Sequence, residues 1–200
     1  VALALLPDST KKTQAEADVA EMESLVAELL EFERLRDGGV LRLVRLDLVP
    51  LLHEAARPYR DEPPGVRLSC PQALVLDGDA EALRRVFRNL LGNAVKYALP
   101  DSRPVEVTAS TAGSQVVVRI VDDGPGIPEA DIGRIFEPFF RVDRSRSRKT
   151  GGYGLGLSIC RRTAAAHGGT IGAGNEPGRG ACFTVTLPSP AGTEPAQPLR

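Results

Sequence analysis

Asn89, Asn93, Lys96 and Tyr97 are spaced i, i+4, i+7 and i+8, so on a helix two amides, an ammonium and a phenol share one face. The adjoining face is apolar, through Leu83, Val86, Leu90 and Ala94. Amide oxygens suit Mg²⁺, which takes hard oxygen ligands together with substrate phosphates and water, and the ammonium suits a phosphate. An ordinary amphipathic helix with solvated amides has the same pattern. Further on, Asp122, Gly124, Gly126 and Ile127 follow a β-branched run. An ionised carboxylate only accepts hydrogen bonds, so Asp122 suits an exocyclic amino group such as that of adenine, while the glycines let backbone approach a flat ligand. A strand-to-helix turn with Asx capping reads the same residues more plainly.

A last station, Gly151, Gly152, Gly154, Leu155 and Gly156, opens another helix. Successive glycine N–H groups at a helix N-terminus form an anion site. The run lacks the Lys-Ser/Thr of a Walker A loop and the spacing of a Rossmann fingerprint. Before it stand the aromatics Phe136, Phe139 and Phe140, then Arg141, Arg144, Arg146, Arg148 and Lys149 against Asp143 alone. Aromatic anchor, cations and glycine hinges describe a lid over polyphosphate. A solvated basic loop is the bland alternative. Serine-arginine alternation for RNA is a third, disfavoured by a near-neutral chain with few aromatic residues to stack on bases.

Holding these stations takes a mixed α and β domain. Residues 13–36 contain no Gly or Pro and carry an apolar stripe through Ala15, Val19, Met22, Val26 and Leu29, so they read as a helix that wants a partner. Residues 7–10 look like a turn before it, and 1–6 like the stump of an earlier antiparallel helix. Short strands are expected at 40–48, 66–70 and 73–76, with a helix at 49–60. Asp79 caps a long helix reaching about residue 99. Residues 105–111 and 115–121 form a hairpin. A short helix at 128–136, a polar loop at 141–150, a helix at 155–167, strands at 170–174 and 182–187, and a disordered Pro-rich tail from 188 complete the chain.

The composition narrows the function classes. Lys+Arg number 25 and Asp+Glu 26, a net charge of −1, so no global basic field argues for nucleic acid. No apolar run approaches the ~20 residues of a membrane span, and 1–6 lacks the flanks of a signal peptide. Three scattered cysteines without a Cys-x-x-Cys pair speak against a disulfide framework or structural zinc and for a reducing setting.

Residues 89–97, 122–128, 136–141 and 152–157 resemble, in order, the N, G1, F and G2 boxes of bacterial sensor histidine kinases. The resemblance implies a two-layer α/β sandwich, a mixed sheet covered on one face by helices, at 40–188. It also implies a partial dimerisation and histidine-phosphotransfer hairpin at 1–39, and a tail at 189–200. On this likeness Asn93 would hold Mg²⁺ with Asn89 beside it, Lys96 would reach the phosphates and Tyr97 would lie against the nucleoside. Asp122 would accept from adenine in a pocket shaped by Gly124, Gly126 and Ile127. Phe136 and Arg141 would anchor and charge the lid, and Gly152, Gly154, Leu155 and Gly156 would offer N–H groups to the triphosphate.

The implied reaction is transfer of the γ-phosphoryl of Mg-ATP to a histidine, for relay to a response-regulator aspartate. His53 and His167 lack the acceptor motif, with His167 placed at a helix C-terminus that favours an imidazolium. The acceptor is therefore expected upstream, and these residues are expected to bind ATP without labelling themselves. The implied partners are the histidine-bearing hairpin, a receiver domain and a second copy in the full-length protein, on the cytoplasmic side of a membrane-anchored sensor. Gyrase- and chaperone-type relatives carry a water-activating Glu where Asn89 stands. A gyrase-like ATPase and a nucleotide-binding module that only docks partners are the competing readings.

Overall fold

The computed structural model describes residues 9–36, 41–60, 63–99, 101–142 and 153–189. The expectations for 1–6, most of 141–150, Gly152 and 190–200 fall outside these residues. The long helix α1 spans Ser9–Arg36. Ser9 and Thr10 are its first turn, not the turn expected at 7–10. Then come β1 (Val44–Asp47), α2 (Leu48–Ala56) with a 3-10 turn at Arg57–Tyr59, β2 (Val66–Ser69) and β3 (Val75–Gly78). The helix α3 (Ala80–Tyr97) starts where Asp79 Oδ1 accepts from the N–H groups of Glu81 and Ala82, each at 3.1 Å. After β4 (Val105–Ala112) and β5 (Gln115–Val121) follow α4 (Gly156–Ala166), β6 (Thr170–Asn175) and β7 (Ala181–Pro188).

Five strands form one mixed sheet in the order β2-β4-β5-β7-β6, parallel between β2 and β4 and antiparallel elsewhere. β1 and β3 make a separate antiparallel pair. The period of two decides which face is covered. Val105, Val107 and Ala109 of β4, Val116, Val118 and Ile120 of β5, and Phe183, Val185 and Leu187 of β7 are buried together. On them lie Leu83, Val86, Phe87, Leu90, Leu91 and Ala94 of α3, with Leu48, Leu51 and Leu52 of α2. Each such fully buried side chain contributes roughly 1.5–3 kcal/mol, so this seam holds α3 against the sheet.

Three expectations need correction. The helix expected at 128–136 is a single 3-10 turn, Glu129–Asp131, followed by irregular turns. Asp131 O accepts from both Arg134 N at 2.8 Å and Ile135 N at 3.0 Å, and Glu137 N then turns back to Arg134 O, so the chain passes through single turns without a continuous α-helical ladder. The tail does not begin at 188: Pro188 ends β7, and Ser189 is buried, donating from its N–H to Ser114 O and from Oγ to Val75 O. His167 does stand at the C-terminal end of α4, but its ring is tied into the core instead of presenting a charge to the helix dipole. Its ring is buried, with Nδ1 2.8 Å from Thr163 O and Nε2 accepting from Asp79 N at 2.9 Å, which requires the neutral Nδ1–H tautomer.

α1 lies against α4. Phe32 and Leu35 pack on Leu155 and Ile159, Arg162 stacks over the Phe32 ring at 4.3 Å, and Glu31 pairs with Arg85 of α3 at 2.9 Å. The stripe Val19, Met22, Val26, Leu29 and Leu30 remains exposed.

Candidate functional site

Asp122 follows the last residue of β5 and is 4% exposed. Its main chain continues the pairing with β7: its N–H donates to Ala181 O at 3.0 Å and its carbonyl accepts from Gly180 N at 2.9 Å. The carboxylate oxygen Oδ1 accepts from Gly124 N at 2.9 Å and Ala181 N at 2.8 Å. Burial pushes the pKa of Asp122 above the ordinary aspartate value, with the two N–H groups and the Arg179 guanidinium pulling the other way. Gly180 is required here, because a Cβ would land on that carboxylate and on the main chain of Gly124. At Gly124 a Cβ would stand 2.6 Å from Tyr97 O, so the end of α3 lies directly on the glycine turn.

Gly126 has φ +75° and sits under Asn175. The Asn175 amide clamps Ile127, accepting from its N–H at 2.7 Å and donating to its carbonyl at 2.8 Å. Sequence reasoning missed Asn175, Gly180 and Ala181 as parts of the site. An Asn closing a strand carries no signal of a partner so far along the chain, although a Gly-x-Gly before a strand marks a tight turn.

On α3, Asn89 and Asn93 are half-buried, and Lys96 and Tyr97 are exposed. Asn89 faces the start of α4: a Cβ on Gly156 would lie 3.5 Å from its carboxamide. Its side chain also hydrogen-bonds the Cys160 thiol, which burial pushes up to about 12 and so keeps protonated. The Lys96 ammonium stands 5.4 Å over the Tyr97 ring. Desolvation first, and then the Arg141 guanidinium, lower the pKa of Lys96, while Glu28 of α1 opposes them. Glu28, half-desolvated, has its own pKa raised by burial against the pull of Lys96. Two cations and one carboxylate thus meet where α1, α3 and the 136–142 segment converge.

α4 starts without a side-chain cap after the buried Leu155. Its first N–H groups point out of the helix as an anion site would need. Gly154 takes φ +78°, and a Cβ there would strike Phe140 O at 2.8 Å. Phe139 N donates to Gly154 O at 3.0 Å, so the chain leaves the F-box region and re-enters at the glycine run side by side. Phe136 is placed in the core instead of in an open pocket: its ring meets Phe183 edge-on at 6.5 Å, with Arg161 at 5.8 Å. Gly152 lies outside the described residues.

The structure therefore brings together Asp122, Gly124, Gly126 and Ile127 with the end of α3, and Asn89 with the start of α4. The glycines are packed tightly, Gly124 against the Tyr97 carbonyl and Gly126 against the Asn175 side chain, so larger residues do not fit around the buried Asp122 carboxylate. No group of three or more His, Cys, Asp or Glu side chains is arranged to hold a metal among the described residues. The hard donors on α3 are amide oxygens, and that set suits Mg²⁺ held by few protein ligands together with phosphates. No helix among the described residues is long and apolar enough to cross a membrane.

Residues 78–191 match the model of the histidine kinase-, DNA gyrase B- and HSP90-like ATPase family. The chain is 35% identical over 192 residues to the sensor-like histidine kinase SenX3 of Mycolicibacterium smegmatis, covering 91% of this chain and 49% of that protein. It is 33% identical over 188 residues to the signal transduction histidine-protein kinase BaeS of Escherichia coli, covering 91% of this chain and 39% of that protein. It thus spans less than half the length of either relative. Among solved structures, full-length ShkA in complex with AMPPNP superposes with a TM-score of 0.76 at 32% identity, over 93% of this chain and 40% of that one. The mycobacterial sensor histidine kinase MprB gives a TM-score of 0.63 at 26% identity, over 73% of this chain and 97% of that one. Box order, site geometry and these likenesses agree: the chain belongs to the histidine kinase-, DNA gyrase B- and HSP90-like ATPase family, on its sensor histidine kinase side.

Proposed function

We propose that this chain binds Mg-ATP and transfers its γ-phosphoryl group to a histidine outside these 200 residues, from which a response-regulator aspartate receives it. The observation that carries the reading is the Asp122 carboxylate, buried at a strand end with Oδ1 tied by two main-chain N–H groups and glycines packed around it. Both of those bonds go to Oδ1, which leaves Oδ2 to accept from the adenine amino group. Tyr97 would lie against the nucleoside. Lys96, Arg141 and the N–H groups of Gly154, Leu155 and Gly156, with Gly152 by sequence pattern, would hold the phosphates. Asn93, with Asn89 beside it, would hold Mg²⁺, which supplies charge neutralisation on the polyphosphate.

The reaction is positioning more than covalent chemistry. An imidazole nitrogen attacks the γ-phosphorus, the bond to the β,γ-bridging oxygen breaks, and ADP leaves with the electron pair. Neither histidine of the chain suits the acceptor role. His167 is buried with both ring nitrogens engaged, and His53 Nδ1 lies 2.6 Å from an Arg60 guanidinium nitrogen. α1, with one face on α4 and the other exposed, is the segment on which a second hairpin helix and a second copy would pack.

A gyrase- or chaperone-type ATPase is the competing reading. Hydrolysis there needs a base on water, and the Asn89 carboxamide cannot take a proton. The two separate with radiolabelled ATP and a histidine-bearing hairpin domain supplied in trans. Acid-labile label on the hairpin is the expected result; steady phosphate release without label would favour the ATPase.

A further inference from the structure

The site leaves one partly buried ion cluster unexplained, at the tip where β5 and the β6–β7 turn meet. Arg179 has a side chain only 8% exposed, and each of its three guanidinium nitrogens has a partner. Nε donates to Asp123 Oδ1 at 2.7 Å, Nη1 pairs with Glu106 Oε2 at 2.7 Å, and Nη2 donates to Pro104 O at 3.0 Å. Arg103 grips the same Asp123 from the other side, with Nε on Oδ2 at 2.8 Å and Nη2 on Oδ1 at 2.9 Å, and Nη2 reaches Gly178 O at 2.9 Å. Asp123 is the neighbour of Asp122, and Arg179 lies two residues before Ala181, whose N–H holds Asp122 Oδ1. The turn that carries Arg179 is closed by Arg179 N on Glu176 O and Glu176 N on Gly180 O, both at 2.9 Å.

Two features make this more than a surface pair. Both partners are largely withdrawn from water, so the pair is weakly screened. The Asp122 carboxylate is also held by donors from two different chain segments, its own turn and β7, and the last main-chain bonds between these segments are those of Asp122 with Gly180 and Ala181. The Asp123–Arg179 bridge joins those two segments just beyond that pairing, one residue after Asp122 and two before Ala181.

We propose that Arg179 is a positioning residue for adenine recognition: through Asp123 it locks the β6–β7 turn to the end of β5, so that Ala181 N and Gly124 N hold the Asp122 carboxylate with Oδ2 aimed at the base amino group. Arg179 does not touch the nucleotide. The inference rests on the reading of Asp122 as the adenine acceptor.

The test compares binding of ATP and of purine riboside triphosphate, which lacks the 6-amino group, by calorimetry with this chain. The unsubstituted chain prefers ATP. Arg179→Ala is expected to lose about tenfold in ATP affinity, the scale of one aligned hydrogen bond, while its affinity for the analogue stays within about twofold. Arg179→Lys, which keeps a donor for Asp123, restores most of the preference. Asp123→Asn, which keeps an acceptor and removes the charge, gives an intermediate loss and serves where Arg179→Ala does not fold. Equal weakening of both nucleotides, or an unchanged preference in Arg179→Ala and Asp123→Asn, overturns the proposal. Asp122→Asn separates the layers: if it erases the preference while the Arg179 variants keep it, only the positioning role fails. If Asp122→Asn keeps the preference, the adenine assignment itself is wrong.

Discussion

Asp122 has one oxygen occupied by the fold and one left over, and that division sets what each substitution does. In Asp122→Asn the amide oxygen can still accept from Gly124 and Ala181, but an NH₂ then faces the base amino group, donor against donor. The expected outcome is a folded protein whose ATP affinity falls by about 2–3 kcal/mol, roughly hundredfold, in calorimetry. Because burial raises the pKa of Asp122, its carboxylate is neutralised at a higher pH than an ordinary aspartate. ATP affinity is therefore expected to decline on acidification from a higher pH than the ordinary value of 3.8, a titration that Asp122→Asn abolishes. His167 works at the same scale for stability alone. Replacing it with Ala strands the Asp79 N–H and opens a cavity at the start of α3, at a cost of about 2–4 kcal/mol readable in urea unfolding.

Two neighbouring aspartates behave oppositely because burial dominates at one and two arginines grip the other. Arg103 and Arg179 hold Asp123 well below the ordinary carboxylate range. A depressed folded-state pKa stabilises above the unfolded value of 3.8 and loses that contribution as pH falls toward the folded pKa. Asp123→Asn is expected to flatten the acid limb of the stability profile below about pH 4 and to leave the neutral limb lower but parallel, measured by thermal melts across pH. The contact of α1 is the other device at this scale. Phe32 is 7% exposed in a small cluster with Leu35, Leu155 and Ile159. Phe32→Ala should free α1, seen as faster amide exchange along Ser9–Arg36, while the sheet domain keeps its melting temperature within a few degrees.

At the scale of the molecule, the site is an assembly of ends: the C-terminal end of α3, the tips of β5 and β6, and the first turn of α4. A ligand that binds only this assembly stabilises the whole domain. Mg-ATP at hundredfold excess over Kd adds about 2.7 kcal/mol, or roughly 5–10 °C in Tm for a chain of this size. Asp122→Asn at the same nucleotide concentration should lose most of that shift. The Arg141 guanidinium lowers the pKa of Lys96 and Glu28 opposes it, so on the proposed reading a bound polyphosphate would relieve the repulsion between two cations. Raised salt is expected to weaken nucleotide binding accordingly.

Periodicity along the chain was enough to specify α3, its Asp79 cap, the β4–β5 hairpin and the apolar seam beneath Asn89 and Asn93, because those depend on residues a few positions apart. The order of the amide, Asp-Gly and glycine-run stations was enough to mark Asp122 and the start of α4. It could not foresee that Asn175 clamps Ile127, that Gly180 and Ala181 complete the Asp122 cradle, or that Arg179 reaches Asp123. Those contacts join positions dozens of residues apart, and only the antiparallel pairing of β7 with β5 and β6 brings them within hydrogen-bond reach. The neutral state of His167 and the burial of Phe136 are of the same kind. A side chain's protonation state and its exposure are set by what the fold packs against it, and local spacing carries no record of that.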